Sequence, residues 1–316
     1  MKVQRTYFIL IFSIAAFSQE DEPIKYEDLY ERDGLIYASD QDSSFNGSVS
    51  ENWPTGINKL SYTYKNGKPD SKWNEWFDNG QPSEEVEYIN GVKNGIHKQW
   101  YKNGQQKFER TYKQGVHDGK WIEWYENGQF IVEGNFVDGK PDGAWIYWYP
   151  NGQKREEGNP VNSDSSSLAF LNDGIWNYWY PNGQLKEVGN FINGEKDGQW
   201  KEWHDNGQVK IKETYKNNKR NGKWLSWYYN GQINIEGDYV DDKKTGRWTT
   251  WYPWGWRTHE AKSNNSESAF ILWFDDQQKS SEGFYKNGKK DKTWIWWSRC
   301  ASVRRTSWCR EWRVNS

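Results

Sequence analysis

Between residues 61 and 297 the chain repeats one pattern of apolar and polar positions. Two aromatic residues stand three apart, an Asn-Gly turn follows, about eight residues lead to a Phe or Tyr, and a second turn such as Asp138-Gly139 or Asn193-Gly194 closes the unit. Most units read Asp/Asn-Gly-x-Trp-x-x-Trp-Tyr-x-Asn-Gly-Gln. The glycine of the first turn falls at 80, 104, 128, 152, 183, 207, 231 and 255, which is a spacing of 24 with one interval of 31.

Trp121 and Trp124 would share the face of a helix, but the turn chemistry predicts strands. Asn-Gly and Asp-Gly recur about every dozen residues and supply the positive φ of type I′ hairpins, leaving segments too short for a stable helix. Val209, Ile211 and Tyr215 alternate with Lys210, Lys212 and Thr214 at the period of two that a strand requires. The predicted unit is strand, tight turn, strand, looser turn.

A two-residue turn at Asn127-Gly128 sets the register, placing Trp121 opposite Gly134. The same arithmetic pairs Trp145 with Gly158, Trp176 with Gly189 and Trp224 with Gly237, each glycine leaving room for an indole to lie across its backbone. Trp73 meets Val86, Trp200 meets Glu213, and His97 stands opposite Arg110. One face then carries a structural ladder: Trp121, Trp145, Trp176 and Trp224, a column of Tyr125, Tyr149, Tyr180 and Tyr228, and a column of the Phe136 type.

The second tryptophan recurs in all eight units, at Trp76, Trp100, Trp124, Trp148, Trp179, Trp203, Trp227 and Trp251, on the opposite face. Its expected cross-strand partners include Lys107, Arg155, Lys186 and Lys210, followed by a column of Glu85, Glu109, Glu133, Glu157, Glu236 and Glu260. Two readings compete: basic stems cover the indoles through cation–π contacts, or the column is a stripe presented to a ligand or partner.

Composition supports a repeat over an aliphatic core: 24 Trp, 20 Tyr and 29 Gly occur in 316 residues. Lys2 and Arg5, the apolar run Tyr7 to Phe17 and the small residues Ala16 and Ser18 read as a secretory signal over residues 1–18. Residues 19–60 form a separate N-terminal unit, and residues 298–316 an Arg-rich irregular tail. No later apolar run is long enough for a membrane span. Both cysteines, Cys300 and Cys309, lie in the tail, so the body has no disulfide framework. The formal net charge of -2 becomes more negative in the body, once the basic ends are set aside, which argues against a nucleic-acid partner.

The segments GKWIEWYENGQ (119–129) and GAWIYWYPNGQ (143–153), with EGNFVDGK (133–140), resemble the MORN-repeat-variant family, whose bacterial members include YwqK-type antitoxins. The likeness covers roughly residues 60 to 297, and Tyr26 to Val49 is similar to the unit that precedes such arrays and caps them. The resemblance implies an all-β fold, an elongated, curved, single-layer antiparallel sheet of tandem 24-residue hairpins, with a binding or scaffolding role and no catalytic residues. The pattern is interrupted at 153–174, around the Ser-rich stretch Asn162 to Ser167, and again near 260–270.

Catalysis finds no support. His97, His117, His204 and His259 occur singly and without oriented partners, the paired acids Asp138/Asp142 and Asp241/Asp242 sit where turns favour Asp, and no metal or cofactor signature stands out. The expected function is that of an exported, non-enzymatic scaffold for a protein partner, possible immunity-like roles included. The alternative is a carbohydrate or cell-wall module that uses the tryptophan column.

Overall fold

The structure is a computed structural model that describes residues 24–39, 41–162, 170–264, 267–274, 279–286, 289–298 and 309–315. The expected export signal, Cys300 and most of the Ser-rich insertion lie outside these residues, as does residues 299–308 of the tail.

Because successive units carry two turn signals, their strands return on themselves, and among the described residues the result is one 25-stranded sheet with a separate two-stranded hairpin. Hairpin follows hairpin in chain order, as in Val116–Trp124, Phe130–Val137, Lys140–Trp148 and Lys154–Asn162. All pairings are antiparallel except that of Ile24–Lys25 with Gly47–Asn52. The sheet does not close into a barrel. The expected all-β, single-layer architecture is therefore what forms.

The two turns of a unit exchange their expected roles. Asp138 and Gly139 have φ of 46° and 77°, and Val137 pairs with Lys140 across them, so the second turn is the two-residue type I′ hairpin. At the first turn, only Gly128 is left-handed, at φ 86°. The Tyr125 N–H reaches the Gln129 carbonyl at 2.8 Å and the Gly128 N–H the Tyr125 carbonyl at 2.9 Å, which makes a three-residue loop with a glycine bulge. Asn127 leaves the left-handed region because its side chain is used: Oδ1 accepts the Gln129 N–H at 3.1 Å.

That extra loop residue has a cost and a benefit for the register. Trp124 pairs with Phe130, and the ladder shifts by one between Trp124 and Glu123, after which Glu123 meets Val132 and Trp121 meets Gly134 as the two-residue arithmetic had it. The pairings of Trp145 with Gly158, Trp176 with Gly189, Trp224 with Gly237, Trp73 with Val86 and Trp200 with Glu213 also form.

Between units a second irregularity recurs. Glu133 pairs with Ile146 and Asn135 with Asp142, so Gly143, Ala144 and Trp145 stand opposite the single residue Gly134. This bulge throws Trp145 onto Gly134 from the neighbouring unit: a Cβ added at Gly134 would lie 2.2 Å from the indole Cδ2 of Trp145. The same holds for Gly158 under Trp176, Gly189 under Trp200, Gly237 under Trp248 and Gly283 under Trp294. The expectation that each glycine receives the indole of its own hairpin is thus corrected, because the bulge brings the next unit's ring over the bare backbone.

At the N-terminal end, Leu29–Arg32 and Leu35–Ala38 form the separate hairpin, and Gly47–Asn52 with Asn58–Lys65 begins the main sheet. Ala38, Phe45, Val49, Leu60, Tyr62 and Tyr64 build a buried cluster with Trp73 packed against it. This unit and the array share one continuous sheet, since Leu60 pairs with Glu75. Among the described residues no helix is long and apolar enough to cross a membrane.

Candidate functional site

The two tryptophan columns occupy different environments, and the strand pleat explains why. Residues 121 and 123 point to one face and 122 and 124 to the other. On the first face, Val132, Phe136 and Trp145 are buried together, with Trp121, Tyr147 and Phe170 packed around them. Trp145, Trp176, Trp200, Trp248 and Trp294 are only 2–6% exposed, and all five lie over a glycine of the preceding strand. Trp73, Trp121 and Trp224 are half-buried. Tyr62 stacks on Trp73 at 4.1 Å and the Arg110 guanidinium sits 4.0 Å from the Trp121 ring, while a glutamate, Glu213, holds the glycine position before Trp224.

On the second face, Trp76, Trp100, Trp124, Trp148, Trp179, Trp203, Trp227 and Trp251 are all half-buried. Phe130, itself exposed, bridges Trp124 and Trp148 with ring centroids 5.8 and 5.2 Å away. Elsewhere cations lie over the indoles: Lys154 over Trp179, Lys201 over Trp203 at 4.5 Å and Lys212 over Trp227. The glutamate column shares this face. Lys98 pairs with Glu109, Lys154 with Glu157 at 2.7 Å, Lys223 with Glu236 and Arg247 with Glu260 at 3.0 Å.

The cations expected opposite the second tryptophans are not there. Trp100, Trp148, Trp179 and Trp203 pair with Gln106, Lys154, Leu185 and Val209. Lys107, Arg155, Lys186 and Lys210 occupy the extra bulge position, which reverses their facing. Lys107 lies over Tyr101, Arg155 over Tyr147 and Lys186 over Tyr180, and Lys210 binds Glu202 at 2.6 Å. Both sets of basic residues cover aromatic surface, but on different faces.

The tyrosine column does more than pack. The hydroxyls of Tyr101, Tyr125, Tyr149, Tyr180 and Tyr228 donate to the carbonyls of Trp124, Trp148, Trp179, Trp203 and Trp251, always one unit further on. Removal from water pushes the phenols of Tyr101, Tyr180 and Tyr228 up. The turn asparagines act in parallel: Asn127 Nδ2 donates to the Pro150 carbonyl at 2.9 Å and Asn151 Nδ2 to that of Pro181 at 2.7 Å. At the other edge, the carboxylates of Asp70, Asp173 and Asp197 accept the N–H of Asn90, Asn193 and Asn217 in the following type I′ turn.

Each such bond contributes about 0.5–1.5 kcal/mol net, and together they fix one hairpin against the next along both edges. These asparagines and aspartates escaped the sequence reading, which treated them as turn formers alone. Their recurrence at the same place in most units was the available signal.

The histidines take structural posts. His97 is buried, with Nε2 2.7 Å from Glu84 and Nδ1 3.1 Å from Lys93, and its hydrogen bond holds the Glu84 carboxyl below the usual carboxylate range. His204 stands in the tyrosine column and reaches the Trp227 carbonyl. Among the described residues no group of three or more His, Cys, Asp or Glu is placed to hold a metal ion.

The last unit departs from the others at its first turn. Trp254 and Trp256 replace the Asn and Gln of Asn-Gly-Gln and are 58% and 45% exposed, with Trp254 stacked on Tyr252 at 4.6 Å.

Comparison with known proteins gives one firm result. No curated protein matches the chain. A solved structure titled "Crystal Structure of TcdB2-TccC3-Cdc42" is similar at 10% identity over 86% of this chain and 16% of that one, with a TM-score of 0.18, a likeness too loose to carry an argument. The MORN repeat variant matches seven tandem segments: 69–90, 93–114, 118–138, 141–160, 172–193, 196–217 and 220–241. Spacing, turns and pairing agree with that match, and through these repeats the chain belongs to the MORN repeat variant family.

Proposed function

We propose that the chain is an exported, non-enzymatic scaffold that binds a protein partner through the face carrying Trp76 to Trp251. The observation that carries this reading is the column itself: eight indoles in register, every one of them half-buried, where the other column buries Trp145, Trp176, Trp200, Trp248 and Trp294. Tryptophan supplies large contact area at small entropic cost, and its half-exposure leaves that area available. Around it the glutamates and their cations supply a polar rim.

The start of the sequence supports export, through Lys2, Arg5 and the apolar run to Phe17. An immunity-like role against a toxin acting in the cell envelope is the form of the proposal nearest to the antitoxins that share the repeat. Affinity capture from the native envelope with cross-linking tests it. One specific protein should be retained by the wild-type chain and lost with Trp124→Ala/Trp148→Ala, at unchanged thermal melting. Equal retention by both chains would overturn the assignment of the face.

A further inference from the structure

An open cleft of about 610 Å³ lies where the N-terminal unit meets the first two repeats. Tyr26 walls it, edge-on to Tyr62 at 6.0 Å. Two departures from the neighbouring units coincide here. Residue 84 is Glu in a column that holds Leu60, Phe108 and Val132 in the nearest units and Glu again at 156 and 187, and it pairs with Glu75 on one side and Gln99 on the other. Residue 77 is Phe, where five other units place a tyrosine whose hydroxyl ties them to the next unit. Phe77 has no hydroxyl to give to that bond, yet keeps an aromatic ring on the cleft.

Polar groups set into an aromatic face cost stability unless they are hydrogen-bonded. Glu75 accepts the Tyr62 hydroxyl, Glu84 is held by His97, and Lys59 binds Glu51 at 2.7 Å. The lining thus mixes three carboxylates with two ammonium groups, Lys59 and Lys107, beside the neutral Gln99 and Ser83. A cationic ligand would face the lysines and an anionic one the glutamates. A neutral polyol suits both, donating hydroxyls to carboxylates and accepting from ammonium and amide groups, while its C–H face rests on aromatic rings. The cleft's volume is within the usual range for small-molecule sites and fits a mono- or disaccharide.

We infer that this cleft binds a neutral mono- or disaccharide, placed between Trp53, Tyr62 and Phe77 with its hydroxyls on Glu75, Glu84 and Gln99. Trp76 and Trp100, the first two indoles of the tryptophan column, also border the cleft, but the sugar contacts inferred here are made by other residues and do not depend on partner binding at Trp124 or Trp148.

Saturation-transfer NMR on the full chain tests it with glucose, N-acetylglucosamine, maltose, cellobiose and chitobiose, and with choline and glucuronate as charged probes. At least one neutral sugar should bind with a dissociation constant in the millimolar range. Phe77→Ala and Gln99→Ala should each weaken it roughly tenfold, whereas Trp124→Ala should leave it unchanged. Gln99→Ala keeps the test sound if Phe77→Ala perturbs folding. Absence of binding by all five sugars, equal binding by the Gln99→Ala variant, or tighter binding of choline or glucuronate would overturn the inference.

Discussion

Trp121 and Trp145 hold the same place in consecutive units, yet one is half-buried and the other nearly sealed. Their own hairpins do not explain this, since each faces a glycine of its partner strand, Gly134 and Gly158. The difference lies in the strand before. Trp145 rests on Gly134, while Trp121 meets Arg110, whose guanidinium lies over the ring. Trp200 makes the same point in reverse: its hairpin partner is Glu213, but Gly189 of the preceding strand lies under it and it is buried. Depth in this sheet is set by the neighbour on the N-terminal side.

The largest effect expected is from Trp145→Ala, a loss of about 3–5 kcal/mol in the stability of the surrounding units, as for large-to-small changes in packed aromatic sites. Hydrogen exchange across residues 130–160 alongside denaturant melts measures it. A loss no larger than that of Trp121→Ala would break the comparison.

Next comes Gly134→Val, with a loss of roughly 1–3 kcal/mol from overpacking. It should be rescued in part when combined with Trp145→Ala and remain additive with Trp121→Ala, which a double-mutant cycle reads directly. Coupling to Trp121 instead would restore the hairpin-internal pairing of ring and glycine.

Trp121→Ala itself should cost about 1–2 kcal/mol, because a half-buried ring returns less apolar area to water and gives up a cation–π contact. Tyr125→Phe removes the hydroxyl that reaches the Trp148 carbonyl at 3.3 Å and should cost about 1 kcal/mol or less, seen as faster exchange at that turn alone.

The smallest effect is on pH dependence. Burial pushes the imidazoles of His117 and His259 below their ordinary 6.5. The unfolded chain therefore takes up protons first as pH falls through that value, and stability should decline below about pH 6.5 while staying flat above it. Melting temperatures of His117→Gln should show a shallower decline, and an unchanged slope would remove His117 from this account.

Much of the fold was legible because its signals are local. The Asn-Gly and Asp-Gly pairs marked the turns, and the pairing of Trp121 with Gly134 followed from counting, although the loop it assumed has one residue too few. A second bulge, within the following strand at Ile131, compensates for that residue, so the count came right again at Glu123. The same bulge is why Lys107 and Lys186 were assigned to the wrong indoles. Of the candidate surface, the half-buried tryptophan column was legible from alternation, but the cleft beside Phe77 was not, since it needs Tyr26 and Glu84 brought together by the N-terminal unit.

The sequence by itself determined the strands, the 24-residue period, the hairpin register and the separation of the two tryptophan columns, because turn residues and the two-residue pleat act within a dozen positions. Only the tertiary structure decided which indoles are buried, which lysines cover which face, and that Tyr125 and Asn127 bind the following unit. Those outcomes depend on contacts between units, and the bulges set them: one residue added opposite Trp124, or two opposite Gly134, redirects a side chain to the other face or the neighbouring repeat, a shift that alternation along a single strand does not record.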